Sequence, residues 1–333
     1  MTQFKALWVE KDARQNSFVQ RIVTLDTADL PAGEVLIRVH YSSLNFKDAL
    51  SAMGNRAVTK HYPHTPGIDA SGVIVASDHP DWEPGQEVIV TGYDLGMNTS
   101  GGFGQYIRVP AQWLVPLPAG LSLYDAMALG TAGLTVALSI SKLLRMGLTP
   151  EAGYVFVTGA TGGVGSLSVA LLKQLGYSVA ASTGKLEQAD YLSRLGANMI
   201  LDRETLFEGN DKPLLKPRWA AAIDTVGGDI LFNVIKSLQY GGIVACCGMV
   251  ASPEFSANVY PFILRGVSLL GVDSVEGSIK TKQLMWQKLA SDWRIKALPL
   301  IAREIPLTLL PEYTQQIFRG KVVGRIVVNM QSV

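Results

Sequence analysis

A glycine-rich stretch at residues 157–165, VTGATGGVG, constrains the fold of this chain most strongly. It follows an apolar run at Tyr154–Thr158 and precedes a helical pattern, so Gly159, Gly162 and Gly165 stand where a buried strand turns into a helix. Small residues at such a turn let the backbone approach a pyrophosphate, and N–H groups at the positive end of the helix dipole hold it. The pattern predicts a dinucleotide site. The alternative is a tight turn that only packs helix on strand.

Strand and helix patterns alternate after this turn, which is typical of a parallel, doubly wound sheet with helices on both faces. The first third of the chain has a different sequence pattern. Short strands such as Glu34–Tyr41, with apolar residues at every second position, are separated there by Pro-Gly and Gly-Gly turns. Regular short strands of this kind indicate a barrel or sandwich. We therefore predict a β-rich domain followed by an α/β domain.

Composition excludes several classes of protein. The 333 residues carry a net charge of +1, and 48% of them are hydrophobic and 17% charged, so neither a disordered chain nor a nucleic-acid binder is expected. The only cysteines are the neighbours Cys246 and Cys247, which provide neither a disulfide framework nor a cysteine zinc site. Residues 1–10 lack a signal-peptide pattern. We expect a soluble, cytoplasmic protein of two domains that binds neither nucleic acid nor membrane.

The strand after the glycine-rich turn indicates which dinucleotide is bound. In NAD-binding proteins its end carries an acid for the ribose 2′-hydroxyl. Here it ends Ala181–Lys185, ASTGK, which offers hydroxyls and a cation, and Arg203 follows the next predicted strand. These residues favour NADPH, whose 2′-phosphate is an anion. The alternative is that Lys185 begins a solvated helix and Arg203 lies in a loop.

Two enzyme classes that share glycine-rich turns lack support. None of the eleven tyrosines has the lysine four residues on that short-chain dehydrogenases need. The stretch Pro66–Gly72 has neither the histidine nor the glutamate of zinc alcohol dehydrogenases, and the first domain has no cysteine. His61 and His64 are interpreted as loop or surface histidines because no third ligand is near them in sequence. We therefore expect no metal site.

Several blocks resemble the zinc-independent, quinone-oxidoreductase branch of the medium-chain dehydrogenase/reductase superfamily, and within it the YhdH/YhfP (acrylyl-CoA reductase) family. The blocks are YSSLNFKDAL (41–50), PGIDASG (66–72), GTAGLTVAL (130–138), AAIDTVGG (221–228), YGGIVACCG (240–248) and PFILRGVSLLGVDSV (261–275). The resemblance implies a GroES-like catalytic domain at 1–124 and 300–333. It implies a Rossmann NADPH-binding domain at 125–299.

The resemblance also implies cofactor contacts. Thr161, Gly162, Gly163 and Val164 are expected at the pyrophosphate, Thr183, Gly184 and Lys185 at the 2′-phosphate, Arg203 at the adenosine end, Phe46 as a stacking ring, and Met249, Ile263 and Ser274 at the nicotinamide half. The alternatives are a core methionine at 249 and a buried helix residue at 263. The family commonly has tyrosine where this chain has Phe46, so a proton donor at that position is lost.

Asn45 and Asp48 are the candidate catalytic residues. Asn45 can polarise a carbonyl or orient the nicotinamide amide, and Asp48 can orient Lys47 or a water. The alternative is helix capping, because Asn is a good N-cap and Asp48 falls at the third helical position.

The expected reaction is hydride transfer from NADPH to the activated C=C bond of a short enoyl thioester such as acrylyl-CoA, without zinc. An NADPH:quinone or enone reductase is the alternative, and a non-enzymatic NADPH-binding protein is a third. A homodimer is expected through an edge strand at Val267–Val272. No sequence feature locates a coenzyme A pocket, for which Lys47, Arg56 and Lys60 are candidates only.

Overall fold

The computed structural model describes residues 2–13 and 17–332, which form two compact units. Unit 1 comprises Met1–Leu134, Ser274–Ser291 and Leu298–Val333, and unit 2 comprises Thr135–Asp273 and Asp292–Ala297. Residues 125–134, 274–291 and 298–299 thus group with unit 1 rather than with the predicted 125–299 domain. Hydrogen bonds explain the first two differences. The Arg325 Nε donates to the carbonyl oxygen of Ala128, and the Lys282 Nζ donates to that of Thr91.

In chain order the strands are β1 (Gln3–Asp12), β2 (Ser17–Asp26), β3 (Val35–Leu44), β4 (Asp69–Ser77), β5 (Glu87–Thr91), β6 (Tyr106–Val109), β7 (Leu114–Pro116), β8 (Tyr154–Val157), β9 (Ser178–Thr183), β10 (Met199–Asp202), β11 (Trp219–Asp224), β12 (Leu238–Cys246), β13 (Ser268–Gly271), β14 (Ala302–Pro306) and β15 (Arg325–Asn329). The helices are α1 (Phe46–Ala52), α2 (Leu123–Arg145), α3 (Gly163–Gln174), α4 (Ala189–Leu195), α5 (Gly228–Lys236), α6 (Tyr260–Arg265), α7 (Ile279–Ala290), α8 (Leu298–Ile301) and α9 (Leu310–Phe318).

Unit 1 is built on a seven-stranded sheet in the order β14-β15-β3-β4-β5-β7, with β6 also paired to β3. The alternation predicted for 34–41 holds, since Val35, Ile37 and Val39 are buried while Arg38 is exposed. The C-terminal strand β15 runs antiparallel to β3 and places Ile326 opposite Leu44. The tail therefore rejoins the first domain, as the resemblance implied.

Unit 2 contains the predicted parallel sheet, in the order β10-β9-β8-β11-β12-β13. Strand order reverses between β8 and β11, and the crevice at such a switch point is where open α/β sheets bind ligands. Phe156 and Trp219 stack in its core with ring centroids 4.6 Å apart. The doubly wound α/β prediction is confirmed.

Helix α2 is interrupted at Gly130, whose φ of 53° and ψ of −155° are non-helical. By length and mean hydropathy α2 passes as a membrane span, but 78% of its most apolar window is buried within the protein. Burial of this kind is found in the core helices of soluble proteins.

Candidate active site

The glycine-rich turn joins β8 to α3 in the conformation that the sequence predicts. Gly159 has a φ of +58°, and a Cβ there would lie 2.4 Å from the Thr225 Oγ1. A Cβ on Gly165 would lie 2.2 Å from the carbonyl oxygen of Gly159, so the start of α3 approaches the turn as closely as only glycine permits. Gly162 is the N-cap of α3. The first helical residues, Gly163 and Val164, therefore present N–H groups that have no partner within the helix.

The end of β9 lies beside this turn. The hydroxyls of Thr161 and Thr183 are 3.0 Å apart, and the N–H of Lys185 donates to the Thr183 Oγ1 at 3.0 Å. A Cβ on Gly184 would lie 2.9 Å from the central guanidinium carbon of Arg203, so the guanidinium covers the backbone at this point. Five predicted cofactor residues from three segments are thus brought together.

The charges here suit a phosphate. The Arg203 Nη2 lies 3.2 Å from the Glu204 Oε1 in an exposed ion pair, which a bound anion can replace because exposed pairs are weak. The pKa of Lys185 is lowered by burial, an effect that Glu187 opposes. The nearby carboxylate of Asp202 caps the turn that follows it, where it accepts the N–H of Glu204 at 3.0 Å. The donor set therefore fits a dinucleotide that carries a 2′-phosphate.

Asp224, at the end of β11, is a residue that the sequence analysis missed. Its buried carboxylate accepts the Thr158 hydroxyl at 2.7 Å and the Gly227 N–H at 2.8 Å. The N–H of Thr225 in turn donates to the Thr158 hydroxyl at 2.9 Å. Burial raises the pKa of Asp224. This network fixes the two strand ends that flank the turn, and the block AAIDTVGG was its only sequence signal.

Met249 and Ile263 lie on unit 2 with 69% and 70% of their surface exposed. The alternative interpretations, a core methionine and a buried helix residue, are therefore wrong. The segment that carries Met249 packs on the end of β11, since a Cβ on Gly248 would lie 1.9 Å from the carbonyl oxygen of Thr225. Ser274 is buried in unit 1. Their predicted contacts with the nicotinamide stay predictions.

Asn45 and Asp48 belong to a buried polar network in unit 1. The Asn45 Nδ2 donates to the Asp69 Oδ2 at 2.8 Å, and its Oδ1 accepts from the Arg325 Nη1 at 3.0 Å. The Asp48 carboxylate accepts the N–H of Asn45 at 2.8 Å and that of Ile68 at 2.9 Å. The capping interpretation therefore holds for Asp48. Because both ends of the Asn45 amide are engaged, its geometry favours a positioning role, and direct catalysis stays a prediction.

Asp69 and Arg325 are the centre of this network. Asp69 also accepts the hydroxyls of Ser43 at 2.6 Å and Thr131 at 2.5 Å, and it accepts the N–H of Thr131 at 2.9 Å. It therefore caps the part of α2 that resumes after Gly130. A Cβ on Gly130 would lie 2.6 Å from the Asp69 Oδ2. An aspartate and an arginine within apolar strands were the only sequence signals for this site.

Burial, and after it the neighbouring Asp69 charge, raise the pKa of Asp48 to about 7. The N–H donors of Asn45 and Ile68 oppose the shift. Burial lowers the pKa of Arg325, while Asp69 and Asp48 raise it. Asp48 thus titrates near neutral pH inside a closed network.

Phe46, the first residue of α1, stacks on Phe318 of α9 with ring centroids 6.4 Å apart. This packing accounts for an aromatic residue here, and stacking on a cofactor stays a prediction. His64 lies in the loop between α1 and β4, as one of the two interpretations has it, but it is buried, and its Nε2 lies 2.9 Å from the carbonyl oxygen of Gly96, so it is not a surface residue. Among the described residues no group of three His, Cys, Asp or Glu side chains is placed to hold a metal ion.

Comparison with known proteins agrees with this architecture. Residues 31–119 match the alcohol dehydrogenase GroES-like domain, and residues 163–291 match the domain described as zinc-binding dehydrogenase. The putative quinone oxidoreductase YhfP of Bacillus subtilis is 45% identical, with 99% of each chain covered. The acrylyl-CoA reductase AcuI of Ruegeria pomeroyi is 42% identical, with 99% of this chain and 100% of that protein covered.

Two solved structures are similar throughout. The YhdH oxidoreductase of Salmonella enterica, in complex with NADP, is 43% identical with a TM-score of 0.94, covering 98% of this chain and 99% of that one. B. subtilis YhfP, with NAD bound, is 45% identical with a TM-score of 0.95, covering 99% and 100%. The chain therefore belongs to the medium-chain dehydrogenase/reductase superfamily, in the group of YhdH, YhfP and AcuI oxidoreductases.

Proposed function

We propose that this protein is an NADPH-dependent, zinc-independent reductase of short enoyl thioesters such as acrylyl-CoA. The observation that carries the choice of cofactor is the Arg203 guanidinium over Gly184, at the strand end where NAD-binding proteins place an acid. The name of the R. pomeroyi relative supports the choice of substrate.

When bound, NADPH supplies the hydride that is transferred to the β-carbon of the substrate. The N–H groups of Gly163 and Val164, at the start of α3, would hold its pyrophosphate, and Lys185 and Arg203 would neutralise its 2′-phosphate. The network of Asn45, Asp48 and Asp69 keeps the start of α1 in place. Because the polar atoms of Asn45 and Asp48 are engaged within that network, we expect the α-carbon to take its proton from solvent.

Quinone reduction is the second candidate. It is favoured by the name of the B. subtilis relative and by the engagement of Asn45 and Asp48 with each other, since a quinone needs no stereodefined proton delivery. The test is NADPH oxidation measured side by side with acrylyl-CoA, a neutral enone and a quinone. We expect kcat/KM to be highest for acrylyl-CoA. Turnover of the quinone without turnover of the thioester would refute the proposal.

We also propose a homodimer that pairs through β13. This strand is the outer edge of the unit 2 sheet, and Leu269 on it is 37% exposed. An unpaired strand edge is a template for pairing with a second chain. Sedimentation analysis should give twice the mass of 35.9 kDa, and a monomer would contradict the proposal.

A further inference from the structure

Cationic side chains gather at one edge of α1 in unit 1. The Lys47 Nζ lies 4.0 Å from the sulfur of Met97, and the backbone N–H of Lys60 donates to the Asn98 Oδ1 at 3.1 Å. The turn at 97–98 therefore contacts both the side chain of Lys47 and the backbone of Lys60. Lys47 is two residues after Asn45, so this edge borders the candidate site.

Arg56 completes the group. Its guanidinium donates to the carbonyl oxygen of Lys60 and lies 5.5 Å from the centroid of the Tyr62 ring. Tyr62 is itself fixed, because its hydroxyl donates to the carbonyl oxygen of Ser51 at 2.6 Å. Arg56 and Lys60 are both solvent-exposed. We call Lys47, Arg56 and Lys60 the basic rim.

The basic rim lacks compensating acids. Across residues 2–13 and 17–332, none of its three cations has a carboxylate oxygen within 4.0 Å. The acid nearest in sequence to the 97–98 turn is Asp94, whose carboxylate accepts from the Asn98 Nδ2 and the Thr99 hydroxyl, each at 2.9 Å. The carboxylate of Asp48 is buried and bonded to backbone N–H groups. In a chain of net charge +1, the basic rim is a local excess of positive charge.

We propose that the basic rim binds the phosphate groups of a coenzyme A thioester, an inference that rests on the proposed function. The reacting end of such a substrate is uncharged, and a flexible pantetheine arm separates it from the phosphates. A site for the phosphates must therefore lie at the edge of the reaction site and be cationic. Lysine and arginine are the side chains that bind phosphate, arginine through its planar fork. Quinones and simple enones have no group for this surface.

The test compares acrylyl-CoA with acrylyl-pantetheine, which has the same reacting group and no nucleotide phosphates. Lys60→Ala and Arg56→Ala should each raise KM for acrylyl-CoA by roughly threefold to tenfold, the range for exposed phosphate contacts. The kcat/KM for acrylyl-CoA divided by that for acrylyl-pantetheine should fall by the same factor, because only acrylyl-CoA carries the phosphates. Lys60→Glu should lower that ratio further, and added salt should reduce the difference between variants. Lys216→Ala, at an exposed lysine of unit 2, is the matched control.

Free coenzyme A provides a readout that needs no thioester turnover. At saturating NADPH it should inhibit reduction of a neutral enone, and Lys60→Ala should weaken this inhibition. Suppose that the wild type reduces acrylyl-CoA, and that the Lys60 and Arg56 variants match it within twofold both in the ratio of kcat/KM between the two thioesters and in inhibition by coenzyme A. Phosphate binding by the basic rim is then refuted. If the wild type reduces neither thioester, the proposed function fails, and coenzyme A inhibition alone then decides for or against the rim.

Discussion

Replacing Arg325 with methionine tests the buried network most severely. The guanidinium is only 3% exposed and makes hydrogen bonds to the carbonyl oxygens of Ala128 and Leu44, the Asn45 Oδ1 and the Ser43 Oγ. Its Nη2 also lies 4.0 Å from the Asp69 Oδ2. Methionine has a similar length and none of these donors. Arg325→Met therefore leaves Asp69 and its partners buried without a countercharge.

Removing one partner of a buried ion pair costs about 3–5 kcal/mol. For a unit of this size, each 1 kcal/mol shifts the midpoint of thermal unfolding by about 2–4 °C, so the expected fall is about 6–20 °C. Circular dichroism at pH 8 without NADPH measures it. Arg319→Met, at an exposed arginine, is the control and should change stability by no more than about 0.5 kcal/mol.

The double variant Arg325→Met/Asp69→Asn separates charge from packing. It removes both charges, so it should unfold at a higher temperature than Arg325→Met alone, with a coupling of about 1–3 kcal/mol. A melting point of Arg325→Met within about 2 °C of the wild type would show that the network is not held by this charge.

Three further predictions concern pH, cofactor and turn. With the pKa of Asp48 raised from 3.8 to about 7, the folded state keeps a proton that the unfolded state loses, so stability from this group falls as pH rises through that window, by up to about 1.4 kcal/mol per unit. The melting point of Asp48→Asn relative to the wild type should therefore increase from pH 5 to pH 8, and a flat difference would contradict the raised pKa. Lys185→Ala and Arg203→Ala should each weaken NADPH binding roughly tenfold in fluorescence titrations while changing NADH binding less than twofold, and equal losses would place both residues away from the 2′-phosphate. Gly165→Ala puts a methyl group 2.2 Å from a carbonyl oxygen and should abolish measurable NADPH binding, whereas Gly271→Ala, with nothing within 4 Å, should leave it unchanged; tight NADPH binding by Gly165→Ala would refute a pyrophosphate site at the glycine-rich turn.

Local signals in the sequence were sufficient for the unit 2 sheet. An apolar strand, three spaced glycines and a helical pattern together indicate the strand–turn–helix unit of a parallel sheet. The ASTGK segment lies next to that turn, as expected. Exposure was harder to predict. Met249 and Ile263 have the residue types of a core, and only the tertiary structure shows that they are exposed.

The unit 1 network was not predictable from local patterns. Arg325 is 280 residues from Asn45, and the two meet only because β15 pairs with β3. The grouping of residues 274–291 with unit 1 was not predictable for the same reason, since hydrogen bonds such as that from Lys282 to Thr91 join segments that are far apart in sequence. The motif at 45–48 indicated a polar site, but its partners Asp69 and Arg325 lie on other strands, and only the order of strands in the sheet shows that they meet it.

The most direct test of the proposed reaction follows the hydrogen atoms. The protein is incubated with acrylyl-CoA and NADPH that carries deuterium at the transferable C4 position, and the propionyl-CoA is analysed by mass spectrometry and NMR. The proposal predicts one deuterium at the β-carbon, and it predicts deuterium at the α-carbon only when the solvent is D₂O. NADPH oxidation without propionyl-CoA, or a label from NADPH at the α-carbon, would contradict it.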